Sequence, residues 1–384
     1  MSKRQLAMVM DLNKCIGCQT CTSACKTQWT NRSGREYMYW NNVETHPGGG
    51  YPRKWQEAGG GFDTGGKLLR GRIPDLNQDY GAPFEMNYAE ALNPLGHAAS
   101  GAAPHLAPAR APDYGPNWDE DQGAGEYPNS YYFYLPRICN HCTNPACLAA
   151  CPRKAIYKRE EDGIVLIDQE RCRGYQHCVA ACPYKKVYFN PLFKRSEKCI
   201  FCFPRVEQGL APACAQQCVG RIRFVGFLDD AEGPVHKLVT NWKVALPLHA
   251  EFGTQPNVYY VPPLAPFKYD TSGKLTDTRR IPDESLIKLF GPRVPEVLKT
   301  LETEREKKRR GEKSELMDLL IAYRHADMFK LDATYYQQKP AEKTAPPKAT
   351  QDLLLRGIPI VTVSSLETRL EQRAVAVGNG GGET

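Results

Sequence analysis

Cys139-Asn-His-Cys142-Thr-Asn-Pro-Ala-Cys147-Leu-Ala-Ala-Cys151-Pro152 opens the stretch whose reading decides the fold. It continues as Cys172-Arg-Gly-Tyr175-Gln-His-Cys178-Val-Ala-Ala-Cys182-Pro183, then Cys199-Ile-Phe-Cys202, and closes with Cys214-Ala-Gln-Gln-Cys218. Eleven of the chain's 15 cysteines lie in it. The other four stand near the N-terminus as Cys15-Ile-Gly-Cys18-Gln-Thr-Cys21-Thr-Ser-Ala-Cys25. Together they make four motifs, of which three are complete.

The spacing carries a specific chemistry. Cysteines three apart and three apart again set three thiolates around one face of a four-iron cubane. A fourth, four residues on, is carried away by the helix that follows and ligates the other cluster of a pair. Cys15 to Cys25 has this form outright. The second motif, Cys139 to Cys151, has two extra residues before its third cysteine, and the fourth has eleven between Cys202 and Cys214. The second and third motifs are adjacent and both end in Cys-Pro, so they form an inner pair. The first and fourth then form an outer pair, although neither Cys25 nor Cys218 precedes proline.

Crossed ligation predicts four sets. Cys15, Cys18, Cys21 and Cys218 hold one 4Fe–4S cluster; Cys25, Cys199, Cys202 and Cys214 hold a second. Cys139, Cys142, Cys147 and Cys182 hold a third. The third motif has Tyr175 where its middle cysteine belongs, leaving Cys172 and Cys178 with Cys151, three thiolates that suit a 3Fe–4S cluster. All 15 cysteines are used. Zinc favours closed sites made of two C-x2-4-C pairs, with no need for a third cysteine or a crossed fourth. Disulfides fit poorly an odd count clustered as C-x-x-C, and thiol exchange needs fewer cysteines.

Working outward, 384 residues with 41% hydrophobic content can bury a substantial core. No apolar run approaches the ~20 residues of a membrane span. The apolar piece Leu6 to Met10 is too short for a signal peptide and no cleavage site follows, so no export address is expected in the chain itself. The formal charge of +7 omits the negative charge of cluster-bound thiolates, so it does not argue for nucleic acid. Contact with a membrane is expected to be indirect only.

The expected class is α+β: two ferredoxin-like cluster-binding units related by a pseudo-twofold, a long irregular insertion and C-terminal helices. Residues 1–25 and 190–265 make the outer pair and 139–189 the inner pair. Residues 6–10 read as a strand, and Ile222 to Phe227, Val244 to Leu248 and Val258 to Val261 as strand-like runs. Ala155 to Asp168 reads as a hairpin turning at Asp162-Gly163, and Val187 to Asn190 mirrors Ala155 to Tyr157 as an internal repeat. Residues 26–138 read as an irregular insertion or interaction arm: they show little periodicity, with an Ala/Pro-biased middle from Ala98 to Pro116. Their aromatics, among them Trp40, Tyr51, Trp55, Trp118, Tyr131, Tyr132, Phe133 and Tyr134, imply that parts of the stretch pack. Residues 266–335 read as a helical partner-binding region. Leu286 to Leu298 share a face, and a second helix over Glu315 to Phe329 uses Leu316, Leu319, Leu320 and Tyr323. Residues 336–384 form an extended tail.

Other residues offer less. His141 and His177 lie inside cluster loops, where the thiolate count already closes; they read as tuning or surface residues. His236 and His249 read as structural, and Asp119-Glu-Asp121 as an exposed turn. There is no P-loop, dinucleotide fingerprint or nucleophile–base signature. The chain shows no catalytic site of its own.

At Asp11 to Cys21, Trp40-Asn-Asn-Val43, Asn117 to Gln122, Cys139 to Thr143, Ser196 to Ile200 and Val244 to Pro247 the sequence resembles a known family. This is the iron–sulfur β subunit of the dimethyl sulfoxide reductase family of molybdoenzymes, type II branch. The branch includes perchlorate, chlorate and selenate reductases, ethylbenzene and dimethyl sulfide dehydrogenases and membrane nitrate reductase. Tyr175 resembles the Trp that replaces the missing cysteine in nitrate reductase. The resemblance implies an electron-transfer subunit beside a catalytic α subunit carrying molybdenum bis-guanine-dinucleotide and one further 4Fe–4S cluster. A haem b γ subunit or cytochrome is implied on the far side. By analogy the cluster of Cys15, Cys18, Cys21 and Cys218 faces the α subunit and the three-iron cluster faces the haem. The resemblance also implies a periplasmic complex, exported with a partner bearing a twin-arginine signal. A nitrate-reductase-type β subunit at the cytoplasmic face, or a free polyferredoxin-like carrier, are the alternatives.

Overall fold

The computed structural model describes residues 4–81 and 123–329, with residues 331, 335 and 336. Ala98 to Pro116, Trp118, Asp119 to Asp121 and the tail beyond 336 lie outside the described residues. Strand β1 (Leu6–Asp11) leads into helix α1 (Thr20–Cys25), and β2 (Asn42–His46) and β3 (Phe133–Arg137) follow. Next come α2 (Ala146–Ala149), the hairpin β4 (Ile156–Lys158) and β5 (Val165–Ile167), and α3 (His177–Ala181). A second hairpin, β6 (Val187–Asn190) and β7 (Arg195–Lys198), precedes α4 (Phe203–Val206), α5 (Ala213–Gln216) and β8 (Arg223–Phe227). Strands β9 (Leu246–Pro247), β10 (Val258–Val261), β11 (Phe267–Tyr269) and β12 (Leu275–Arg279) lead to α6 (Asp283–Phe290), α7 (Val294–Arg309) and α8 (Glu315–Ile321).

The Leu6 to Met10 run is a central strand. β1 lies between antiparallel β8 and parallel β10, with β9 at the far edge. Every β1 residue is buried, which explains a nearly continuous apolar run where a half-buried strand would alternate. The strand-like runs at 222–227, 244–248 and 258–261 therefore supply the rest of one four-stranded sheet. This sheet joins the N-terminal motif to the chain beyond Cys218.

Both smaller hairpins form. Ile156 pairs with Ile167 and Val187 with Lys198. The first turns through Gly163, whose φ of +71° lies in the left-handed region and whose Cβ would meet Gln5. Between them the hairpins separate three cysteine motifs at regular intervals, which is the repeat read in the sequence.

Two expectations need correction. The stretch after Cys25 carries a ladder of its own: β2 pairs with β3 over five residues, Asn42 with Arg137 through His46 with Phe133. Its signal was weak because the strand is polar, Asn-Val-Glu-Thr-His, yet buried throughout. The helix expected over Glu315 to Phe329 stops at Ile321, where Ala322 turns left-handed and Tyr323 stands 80% exposed. Tertiary pairing overrides the periodicity there, since Val225 N donates to Met328 O and Phe329 bridges to Val225 at the edge of β8. The upstream apolar face is split between α6 and α7, because Gly291, with φ of +87°, ends α6.

Buried charge anchors the β2–β3 ladder. Glu44 is wholly buried; its carboxylate accepts from Arg137 Nε at 2.7 Å, Tyr51 N at 3.0 Å and Trp55 Nε1 at 3.1 Å. Burial alone would raise its pKa, but Arg137 beside it holds the carboxyl far below the usual range. Arg137 in turn donates to Tyr51 O and Tyr184 O and stacks on Trp55. Because the folded pKa is depressed, this stabilisation is intact at neutral pH and is lost progressively as pH falls from the ordinary carboxylate range through the lower folded value. Glu44→Ala should strand the buried guanidinium and cost about 3–5 kcal/mol. Thermal unfolding should show it at neutral pH, and an unchanged transition would mean that the pair does not hold the ladder.

Candidate metal centres

The backbone at the four motifs curls in the same way. The residue before the second cysteine position is left-handed in each: Gly17 at φ +68°, His141 at +42°, Gly174 at +69° and Phe201 at +53°. Histidine and phenylalanine adopt that region at a cost, so surrounding contacts must enforce it. Three motifs also close alike. Lys154, Lys185 and Arg221 are left-handed, and each N–H donates to the carbonyl of Cys151, Cys182 or Cys218, three residues back. After Cys25 the chain instead stays helical, through a π-helical turn over Lys26–Thr30. Tyr175 thus occupies the place that Cys18 fills in the first motif, and the residue is 58% exposed.

Helices carry the later cysteines of each motif. Cys21 and Cys25 lie on α1; Cys147 on α2, with Cys151 just beyond it; Cys178 on α3, which Cys182 caps; and Cys214 on α5, with Cys218 beyond. Helix α1 packs on α5, and α2 packs on α3. The first motif is therefore brought to the fourth, and the second to the third.

Thiols from different motifs line common cavities. Cys25 joins Cys199, Cys202 and Cys214 around one small cavity, walled by Trp29 and Trp40. Cys182 joins Cys139, Cys142 and Cys147 around a second, beside His141 and Thr254. Burial pushes Cys15 up to about 11, with Cys21 and Cys218 as its sulfur neighbours. Burial likewise pushes Cys178 up to about 12, with Cys172 and Cys151 as its sulfur neighbours. Cys18 is exposed at the rim of the first group. Among the described residues, no three His, Cys, Asp or Glu side chains close on one point as a single metal ion requires. The thiols stand around volumes instead.

Polar hydrogens are directed at the sulfurs. Trp29 Nε1 donates to Cys202 Sγ at 3.1 Å, Ala155 N to Cys151 Sγ at 3.3 Å and Phe201 N to Cys199 Sγ at 3.4 Å. Ser196 meets two sulfurs: its N–H donates to Cys172 Sγ at 3.4 Å, and its Oγ accepts from the Cys178 thiol at 3.3 Å. His141 is buried; its Nδ1 accepts from Val165 N and burial holds its pKa well below the usual value. Its Nε2 has no protein partner and lines the second cavity's wall as part of that residue. These donors, with thiols that burial keeps protonated until metal displaces the proton, fit iron–sulfur clusters. Of the other histidines, His236 Nδ1 donates to Leu228 O and His249 pairs with Glu251, both structural roles. Sequence reading missed Trp29, Ser196 and Arg223 as cluster neighbours, since no local pattern links them to the motifs.

The motif geometry defines a ferredoxin-like iron–sulfur protein. Family models agree: a 4Fe–4S dicluster domain matches residues 130–228 and a 4Fe–4S binding domain residues 6–27. The chain is 65% identical to the dimethylsulfide dehydrogenase subunit beta of Rhodovulum sulfidophilum over 331 residues, covering 86% of this chain and 100% of that one. It is 59% identical to the selenate reductase subunit beta of Thauera selenatis, over 86% and 99% of the two chains. With the respiratory nitrate reductase 2 beta chain of Escherichia coli the figure is 39%, over 71% of each. The chain belongs to the iron–sulfur β subunits of the dimethyl sulfoxide reductase family of molybdoenzymes. It is an electron-transfer subunit of molybdoenzyme complexes. Among the described residues, no helix is long and apolar enough to cross a membrane.

Trp29→Phe keeps an aromatic ring but removes the N–H directed at Cys202. Hydrogen bonds to cluster sulfur favour the reduced form. The variant should retain its iron while one four-iron cluster becomes harder to reduce, as read by a potentiometric titration; an unmoved potential would refute the bond's role.

Proposed function

We propose that the chain holds three 4Fe–4S clusters and one 3Fe–4S cluster and relays electrons through them to and from the molybdenum subunit. Cys15, Cys18, Cys21 and Cys218 would hold the first, and Cys25, Cys199, Cys202 and Cys214 the second. Cys139, Cys142, Cys147 and Cys182 would hold the third, and Cys151, Cys172 and Cys178 the three-iron cluster. When bound, such clusters supply one-electron transfer at potentials set by type, charge, hydrogen bonding and burial. The observation that carries the reading is the crossing: one cysteine of each pair of motifs lines a cavity together with three cysteines of its partner motif.

Packing of α1 on α5 and of α2 on α3 supports two ferredoxin-like units related by a pseudo-twofold. The outer unit takes residues 1–25 and 190–265 and the inner unit residues 139–189. Residues 26–138 are then an insertion, 266–335 a partner-binding region and 336–384 a tail. Cys18 and Tyr175 are both exposed, which supports a route open to partners at the first cluster and at the three-iron cluster. The first suits the α subunit and the second a haem b subunit or cytochrome. Likeness to the type II branch supports a periplasmic complex, which cell fractionation tests directly.

Anaerobic purification with iron assay and paramagnetic resonance should find about 15 irons in this chain and an oxidised three-iron signal that disappears on reduction. Tyr175→Cys should add one iron and abolish that signal. Four four-iron clusters in the unaltered chain would overturn the three-iron assignment, and zinc without iron would overturn the whole reading.

A further inference from the structure

Arg223 begins β8, paired with Met10 of the central strand, and only 1% of it is exposed. Its Nη2 donates to Asn41 Oδ1 at 2.7 Å and lies 3.4 Å from Cys21 Sγ. Its Nη1 lies 3.8 Å from Cys214 Sγ and 3.6 Å from Met8 Sδ. Nε is buried with no protein partner. A guanidinium stays protonated in any protein setting, so this is a permanent charge removed from water. Among the described residues no carboxylate comes within ion-pair distance of it. Its neighbours are sulfurs, those of Cys21, Cys214 and Cys218, which become negative when they bind metal.

These sulfurs belong to two different sets. On the four-cluster reading, on which this argument rests, Cys21 ligates the first cluster and Cys214 the second. We infer that Arg223 is a positioning residue shared by the two outer clusters, one fixed cation that raises both of their reduction potentials and screens each from the other's charge. An added electron deepens the negative charge on either side of the guanidinium, and a cation in contact with both favours that state in each. Asn41 holds the fork in place. Its backbone lies against Cys25, and its Nδ2 donates to Thr22 Oγ1 on the same helix as Cys21. The closer approach to Cys21 gives the first cluster the larger share.

The test uses the whole complex with its catalytic subunit, comparing Arg223→Gln, Arg223→Lys and Asn41→Ala by iron assay and paramagnetic resonance during redox titration. Arg223→Gln should keep the iron count and shift two four-iron clusters toward lower potential. The expected change is at least tenfold in the reduced-to-oxidised ratio at fixed potential, about 59 mV for one electron. The third four-iron cluster and the three-iron cluster should not move, and Arg223→Lys should recover part of the shift. Full iron with unmoved potentials, or all four clusters moving alike, overturns the inference while leaving the relay intact. If Arg223→Gln loses iron, Asn41→Ala decides: the same two clusters shifting supports the inference, and no shift overturns it. Fewer than four clusters in this chain of the unaltered complex would instead sink the relay reading.

Discussion

Burial of sulfur is the constraint on which the structure turns. Ten of the 15 cysteines are buried and only Cys18 is exposed. A thiolate taken from water is costly unless metal, a polar hydrogen or a cation meets it. Burial accordingly pushes thiols such as Cys25, Cys147 and Cys199 up, so that without metal they stay neutral. Loading with metal therefore displaces protons, and folding and metal binding are coupled. The donors from Trp29 and Ser196, and the cation of Arg223, are placed where that charge arises.

Segments far from the motifs hold the helices that carry them. Gly61 N donates to Ala181 O at 2.9 Å and Gly71 N to Ala180 O at 3.1 Å, capping the end of α3 between Cys178 and Cys182. Gly60 allows the approach: a Cβ there would stand 2.6 Å from Ala181 O, and its φ is +109°. The Glu44–Arg137 pair fixes β2 against β3 and reaches Tyr184, two residues past Cys182. Residues that looked like an interaction arm thus also brace the inner cysteines.

Much of the chemistry was legible. Spacing alone separated cluster motifs from zinc pairs, placed Tyr175 at a cysteine position, and joined the first motif to the fourth. The packing of α1 on α5 is the arrangement such crossing requires. The hairpin after Cys151 was readable because Asp162-Gly163 is local turn chemistry. Helix α8 was misjudged because its periodicity runs on past the point where pairing with β8 turns the chain away. Strand β2 was missed because Glu44 and His46 look exposed until Arg137, some 90 residues away, is seen to pair with the carboxylate.

What the sequence by itself determined, then, is the metal chemistry and its family, because thiolate spacing is a local property of tight loops and short helices. What only the tertiary structure decided is the surroundings of each sulfur. Arg223, Trp29 and Ser196 reach Cys21, Cys202 and Cys178 across 202, 173 and 18 residues of chain respectively. Electrostatic fields act through space, and no spacing along the sequence records which cation will lie between two clusters.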